Sequence, residues 1–294
     1  MKIVLFGYGE MGCAGLEFLL SQGEETAAVI THRDDPSERR WFRSLADAAA
    51  GARIPVIYGE ESDLEAEVRR RAPDLILSFY YRHLIPMRVL RFAPRGALNL
   101  HGSLLPRLRG RAPLNWALVE GEDETGVTLH HMVREPDAGD IVAQRGWRIG
   151  PRDTAKILFD RALAETRILL EGIWPRIVDG TAPRIPQDPA KASVRGRRRP
   201  EDGEIDWTQT TRRVDGLVRA VTEPFPGAFT WLGGRKLMVW EGCPSSGRGD
   251  PGRVLAPDEV ATGDGAYRIV RTNFADRPEE RAVLPSGTLL GARP

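Results

Sequence analysis

In the stretch "NLHGSLLPRLRGRAPLNWALVEGEDETGVTLHHMVREPDAGD", three polar side chains stand out by type and spacing: Asn99, His101 and Asp137. An amide can donate to an oxygen that gains charge, an imidazole accepts and returns a proton near neutrality, and a carboxylate orients and supports the imidazolium. Asn99 lies in the apolar run "GALNL" and His101 follows it, a spacing that puts both side chains on one face of a strand. Asp137 sits in "PDAG", after the next strand-like run. Taken singly, each has a plainer reading, Asn99 and His101 as turn or capping residues and Asp137 as a turn residue. Ser103, close to His101, raises a Ser-His-Asp hydrolase, but the G-x-S-x-G elbow is missing. His130 and His131 are neighbours in a strand-like run, so they point to opposite faces and at most one of them faces a pocket.

A second candidate is "FGYGEMG", where Gly7, Gly9 and Gly12 spell G-x-G-x-x-G directly after "KIVLF". That spelling serves either a dinucleotide-binding turn or a tight strand-to-helix junction. The acid that should close strand two and bind a ribose is missing, because "AVITHRDD" ends its apolar run with Thr31 and His32. Asp34 and Asp35 come later and read as helix-capping residues.

These residues need a scaffold, and the first half of the chain supplies one. Apolar runs "KIVLF", "TAAVIT", "IPVIY", "DLILSF" and "GALNL" alternate with helix-like segments such as "EMGCAGLEFLLSQG" and "LEAEVRRR". A polar, Arg-rich helix is expected over roughly 37–50 and a long amphipathic one over 153–180. The pattern predicts an α/β fold, with a mostly parallel, Rossmann-like sheet covered by helices on both faces. Ligands sit at the carboxyl ends of such strands. The segment 181–204 is rich in proline, lacks periodicity and carries the basic run "RGRRRP", which reads as solvated linker before phosphate contact. Beyond it, a short helix and a hairpin candidate, "GAFTWLGGRKLMVWEG", predict a small β domain, an open barrel in outline. The expected division is a catalytic domain over 1–188, a linker over 189–204 and a β domain over 205–294.

Composition narrows the classes further. The 294 residues carry 42 Lys+Arg against 41 Asp+Glu, a formal charge of +1, so nothing draws the whole chain to nucleic acid or anionic lipid. Cys13 and Cys243 stand far apart, with no zinc-ligand spacing. No apolar run approaches membrane-spanning length and the N-terminus shows no signal peptide, so a cytoplasmic protein is expected.

The stretch "NLHGSLLPRLRGRAPLNWALVEGEDETGVTLH" resembles the signature of the folate-dependent formyltransferases: Asn-x-His, then Ser-Leu-Leu-Pro-x-x-Arg-Gly, then a distant Asp. "SFYYRHLIP", "RGRAPLNW", "RRRPEDGEIDW" and "VRAVTEPFPGAF" extend the likeness over nearly the whole chain. They most resemble the branch acting on UDP-4-amino-4-deoxy-L-arabinose, the N-terminal half of the bifunctional polymyxin-resistance enzyme of lipid A modification. The sequence contains no counterpart of that enzyme's decarboxylase domain, so the exact sugar and pathway stay open.

The resemblance implies a C-terminal β domain similar to an OB-fold. It also implies 10-formyltetrahydrofolate as co-substrate, a nucleotide-sugar amine as acceptor, and neither NAD nor a metal. Asn99, His101 and Asp137 become the catalytic residues; His83, Leu84, Ile85, Arg111, Val133, Arg134, Glu135, Pro136 and Asp137 fall on family positions around the folate. The rival acceptor is methionyl-tRNA. That branch carries a longer basic loop after the second strand, where this chain has the short, mixed "THRDDPSERRWFRSL". A non-catalytic folate- or nucleotide-binding module would not need the intact Asn–His–Asp set.

Overall fold

The computed structural model describes residues 1–36, 40–280 and 282–293. The chain divides into two compact units, one of residues 1–110, 126–147 and 160–195, the other of 111–125, 148–159 and 196–294. Neither is a single contiguous block. Residues 189–195 of the expected linker lie with the first unit and 196–204 with the second.

In chain order the first elements are β1 (Lys2–Gly7), α1 (Gly9–Ser21), β2 (Glu25–Thr31), α2 (Leu45–Gly51), β3 (Val56–Tyr58), α3 (Leu64–Arg71), β4 (Leu75–Phe79), α4 (Met87–Leu90), β5 (Ala97–His101) and β6 (Arg109–Gly110). There follow α5 (Pro113–Val119), β7 (Glu124–His131), β8 (Ile141–Arg148), α6 (Ala155–Asp179) and β9 (Val194–Arg195). Seven strands form one sheet in the order β3-β2-β1-β4-β5-β7-β8. The pairs from β3 to β5 are parallel, and β7 turns antiparallel against β5. β1 and β4 are almost wholly buried along their length, as strands covered on both faces must be. Ala97 at the start of β5 packs into a core with Val4, Phe6, Ile76 and Ile85. Asn99 and His101 alternate with it along the strand, so they share its face toward the carboxyl end.

The helix expected over 37–50 is shorter. Residues 37–39 lie outside the described residues, and α2 begins only at Leu45, where Ser44 caps it by accepting from Asp47 N. Arg43 stays out of the helix because its backbone N–H and its guanidinium both bond to Glu10. α6 starts at Ala155 rather than at 153. The Asp153 carboxylate accepts from Gly150 N at 2.7 Å, and Thr154 Oγ1 accepts from Ile157 N instead.

The second unit continues with α7 (Thr211–Val221), β10 (Ala228–Leu232), β11 (Arg235–Ser245), β12 (Val254–Ala256), β13 (Glu259–Ala261) and β14 (Ala266–Phe274). The five strands form an antiparallel sheet ordered β10-β11-β14-β13-β12. Gly233 and Gly234, at φ 56° and 77°, make the expected two-residue hairpin turn between β10 and β11. α5 joins this unit by packing on α7: Asn115 Nδ2 donates to Ala220 O at 2.7 Å, and Gly216 leaves room for Leu118 O, which a Cβ there would meet at 2.2 Å. Among the described residues no helix is long and apolar enough to cross a membrane.

Candidate active site

Asn99 and His101 are brought together with Asp137 at the carboxyl end of β5. Antiparallel pairing sets Asn99 opposite His130 and His101 opposite Thr128, so these four side chains line one face. Asp137 enters from the β7–β8 connection with φ 56°, a left-handed conformation that Asp tolerates better than most residues. Its Oδ2 accepts from Gly110 N at 2.8 Å, while its Oδ1 lies 3.6 Å from His101 Nδ1, 3.4 Å from His130 Nε2 and 3.5 Å from Asn99 Nδ2.

Hydrogen bonds assign the tautomers. His101 Nε2 donates to Leu108 O at 2.8 Å, so the neutral ring carries its proton there and leaves Nδ1 bare toward Asp137. His130 Nδ1 donates to His131 O at 2.9 Å, so its Nε2 accepts from Asn99 Nδ2 at 3.1 Å. That bond fixes the Asn99 amide and leaves its second N–H on only a long contact with Asp137.

Burial pushes the His101 pKa below that of free imidazole, against the opposing pull of Asp137 and Leu108 O. For Asp137, burial would raise the pKa, but attraction to the protonated forms of His101 and His130, with the Gly110 N–H, prevails and brings it down to about 2. We take Asp137 as ionised and His101 as neutral near pH 7, because His101 is the more deeply buried, at 5% exposure, and the carboxylate already holds a full-strength backbone hydrogen bond.

The "SLLPRLRG" turn holds Leu108 and Gly110 in place. Thr128 Oγ1 donates to Ser103 O at 2.6 Å, and Gln144 Nε2 donates to Leu105 O at 2.9 Å. The Ser103 hydroxyl is buried and donates to Arg107 O at 2.6 Å, which makes it a turn staple and no nucleophile. His131 points away from His130, with its ring half-buried near Arg184, and burial lowers its pKa to about 4. The sequence allowed one histidine to face a pocket; the β5–β7 register selects His130. The sequence does not single it out, because strand parity alone does not tell which face is the site.

The remaining candidates are spread more widely. His83 and Leu84 are exposed after β4, while the Ile85 side chain is 7% exposed in the core, so only its backbone is available to a ligand. Val133, Arg134, Glu135 and Pro136 are exposed on the connection that ends in Asp137. Arg111 is exposed ahead of α5 and belongs to the second unit. His32, Glu60 and His83 place their ligand atoms within 4.8 Å of one another, as a metal would require. However, His32 Nε2 accepts from Arg82 N at 3.0 Å, so its Nδ1 bears the proton and donates to Glu60, and a metal ligand cannot do so.

At the other turn, Gly9 has φ 56° and a Cβ there would stand 2.9 Å from the Phe42 ring. Leu45 Cδ2 closes on Gly7 and Gly12, at 2.9 and 2.7 Å from their would-be Cβ atoms. Side chains of this chain therefore occupy the space that the glycines open. Strand two ends at Thr31, and the next residue, His32, is stacked on Tyr81 with ring centroids 4.3 Å apart.

A family model described as formyl transferase matches residues 1–172, and one for the formyl transferase C-terminal domain matches residues 198–283. The chain belongs to the formyl transferase family. It is therefore an enzyme of formyl-group transfer, and the two matched regions agree with its α/β and antiparallel β folds.

Solved structures share the fold. The N-formyltransferase from Helicobacter canadensis, in complex with folinic acid and dTDP-3-aminofucose, matches with TM-score 0.73 and 20% identity over 93% of this chain and 100% of its own. WlaRD, a sugar 3N-formyl transferase studied with dTDP and 5-N-formyl-THF, matches with TM-score 0.71 and 18% identity over 94% and 98%. Methionyl-tRNA formyltransferase from Clostridium thermocellum matches with TM-score 0.58 and 17% identity over 83% and 94%.

Proposed function

We propose that this formyl transferase moves the formyl group of 10-formyltetrahydrofolate to the primary amine of a nucleotide-linked amino sugar. The observation that carries the reading is the convergence of Asn99, His101 and Asp137, with His101 Nδ1 bare and facing the carboxylate. Alkyl amines are largely protonated near pH 7, so the acceptor must lose a proton to attack. That proton goes to solvent; as the neutral nitrogen then bonds to the formyl carbon and turns cationic, His101 Nδ1 receives one of its remaining protons, directly or through water, and Asp137 supports the resulting imidazolium. The Asn99 N–H that makes only the long contact with Asp137 turns to donate to the oxygen of the tetrahedral intermediate; one such donor typically lowers the barrier by about 3–4 kcal/mol. Collapse breaks the carbon bond to the folate nitrogen, which takes the proton back from His101.

His83 to Ile85 and Val133 to Asp137 serve the folate in this reading, the exposed ones through side chain or backbone and Ile85 through its backbone. Arg111 supplies a carboxylate or phosphate clamp. No dinucleotide or metal takes part, and the enzyme works in the cytoplasm. For the acceptor, the solved relatives described with amino-sugar nucleotides support the sugar class. Within that class the sequence motifs most resemble the branch acting on UDP-4-amino-4-deoxy-L-arabinose, which makes that sugar the first acceptor to test.

The test incubates the protein with 10-formyltetrahydrofolate, UDP- and dTDP-linked amino sugars and methionyl-tRNA, and weighs the products. Formylation of an amino-sugar nucleotide and not of tRNA is expected; formylation of tRNA alone overturns the acceptor.

A further inference from the structure

The proline-rich stretch after α6 has the composition of a linker, yet it fastens the loop that carries Asp137. Ile185 and Ile141 exchange both backbone hydrogen bonds, at 2.8 and 3.0 Å, and two residues later Gln187 reaches the Asp137 loop. Gln187 Nε2 donates to Asp137 O and to Gly139 O, both at 2.7 Å. Its Oε1 accepts from Arg109 Nε at 3.1 Å and from Arg109 NH2 at 2.8 Å. The amide has one sensible orientation, because flipping it would aim an N–H at the guanidinium and an oxygen at two carbonyls. Arg109 is itself buried and reaches Glu135, on the same loop, at 3.5 Å. Its neighbour Gly110 donates to the Asp137 carboxylate. One side chain thus ties the backbone of Asp137 to the segment that also holds its carboxylate.

We propose that Gln187, fixed by Arg109, is a positioning residue for Asp137: it holds the left-handed backbone at 137 so that Oδ1 faces His101 Nδ1. The proposal rests on the catalytic reading of Asp137 given above. A left-handed non-glycine residue persists only where its surroundings hold it; one hydrogen bond from Gln187 acts on its carbonyl directly and the other holds Gly139, two residues on. Without them the carboxylate can swing while its bond to Gly110 N survives, and its distance to His101 lengthens. A displacement of about 1 Å at a reacting group can cost as much as 10²-fold in rate.

The test uses Gln187→Met, which keeps length and bulk but removes the hydrogen bonds, and Arg109→Lys, which keeps charge but loses the two-pronged grip on Oε1. Gln187→Met is expected to lower kcat about 10- to 100-fold, with the KM for the acceptor little changed and the thermal midpoint close to that of the parent protein. The acid limb of its rate profile should move to lower pH, as for Asp137→Asn, because His101 loses part of the carboxylate's support; the other titratable side chain facing it, His130, is the same in both proteins. Arg109→Lys should show the same changes at smaller size. In the Asp137→Asn background, Gln187→Met should cost no more than a few-fold further.

A parental kcat and pH profile for Gln187→Met would overturn the proposal, whether or not stability falls. So would a full loss repeated on top of Asp137→Asn. His101→Ala, run alongside, separates the two claims. If it stays active, the catalytic reading fails; if it is inactive while Gln187→Met behaves as the parent, only the positioning role fails.

Discussion

Two turns leave the carboxyl end of the same sheet and invite opposite readings. The turn after β1 carries the spelled motif, Gly7, Gly9 and Gly12, and its glycines are met by Phe42 and Leu45. The turn after β5 has no famous spelling apart from its family signature, yet it collects Asn99, His101, His130 and Asp137 within hydrogen-bond or ion-pair range. A glycine pattern reports where the backbone must bend and be approached closely. What approaches it, a phosphate or a leucine, is decided by other residues. A cluster of polar side chains held out of water must be explained by its partners, and here the partners make a proton acceptor, an amide donor and a carboxylate.

Mutations should separate the two turns sharply. The largest effect is expected at the β5 end: His101→Ala should lower kcat by roughly 10²–10⁴ with little change in donor binding, measured by steady-state kinetics and folate titration. Asp137→Asn should give a related loss. Because the charge that favours imidazolium is gone, the His101 pKa falls and the acid limb of activity moves to lower pH. The double variant should lose much less than the product of the single losses, since the two residues act as a unit. Losses that multiply would make Asp137 a turn residue.

A smaller effect is expected at His130. His130→Leu removes the acceptor that fixes the Asn99 amide, and a lost buried hydrogen bond of about 1–1.5 kcal/mol corresponds to roughly tenfold in kcat. An unchanged kcat would show that Asn99 is held by other contacts. At the β1 turn the effect should fall on stability and spare chemistry. Gly9→Ala puts a Cβ against Phe42 at positive φ, at a cost of about 1–3 kcal/mol in unfolding free energy, with kcat of the folded protein retained. Saturable NADH binding by the parent protein, abolished in this variant, would reverse the assignment of the two turns.

Much of this was legible in the residues. α3 matches "LEAEVRRR" because Asp63 caps it and the segment is short and self-contained. β5 could be read with its two polar residues on one face because strand parity is local. His130 is not legible in the same way, because its pairing with Asn99 depends on the β5–β7 register, a long-range fact. The Arg-rich pattern overruns the helix, since composition does not show that Arg43 spends its backbone N–H on Glu10. Gln187 was invisible for a related reason: among prolines and charges, nothing in its neighbours announces that its amide meets Asp137 and Arg109.

The most direct measurement compares the parent protein with His101→Ala in single-turnover formyl transfer from 10-formyltetrahydrofolate to an amino-sugar nucleotide, with the product weighed by mass spectrometry. The parent should add one formyl group to the sugar amine, and the folded variant should bind the donor yet transfer it at least 10²-fold more slowly. Transfer by His101→Ala at the parental rate would contradict the assignment of chemistry to the end of β5.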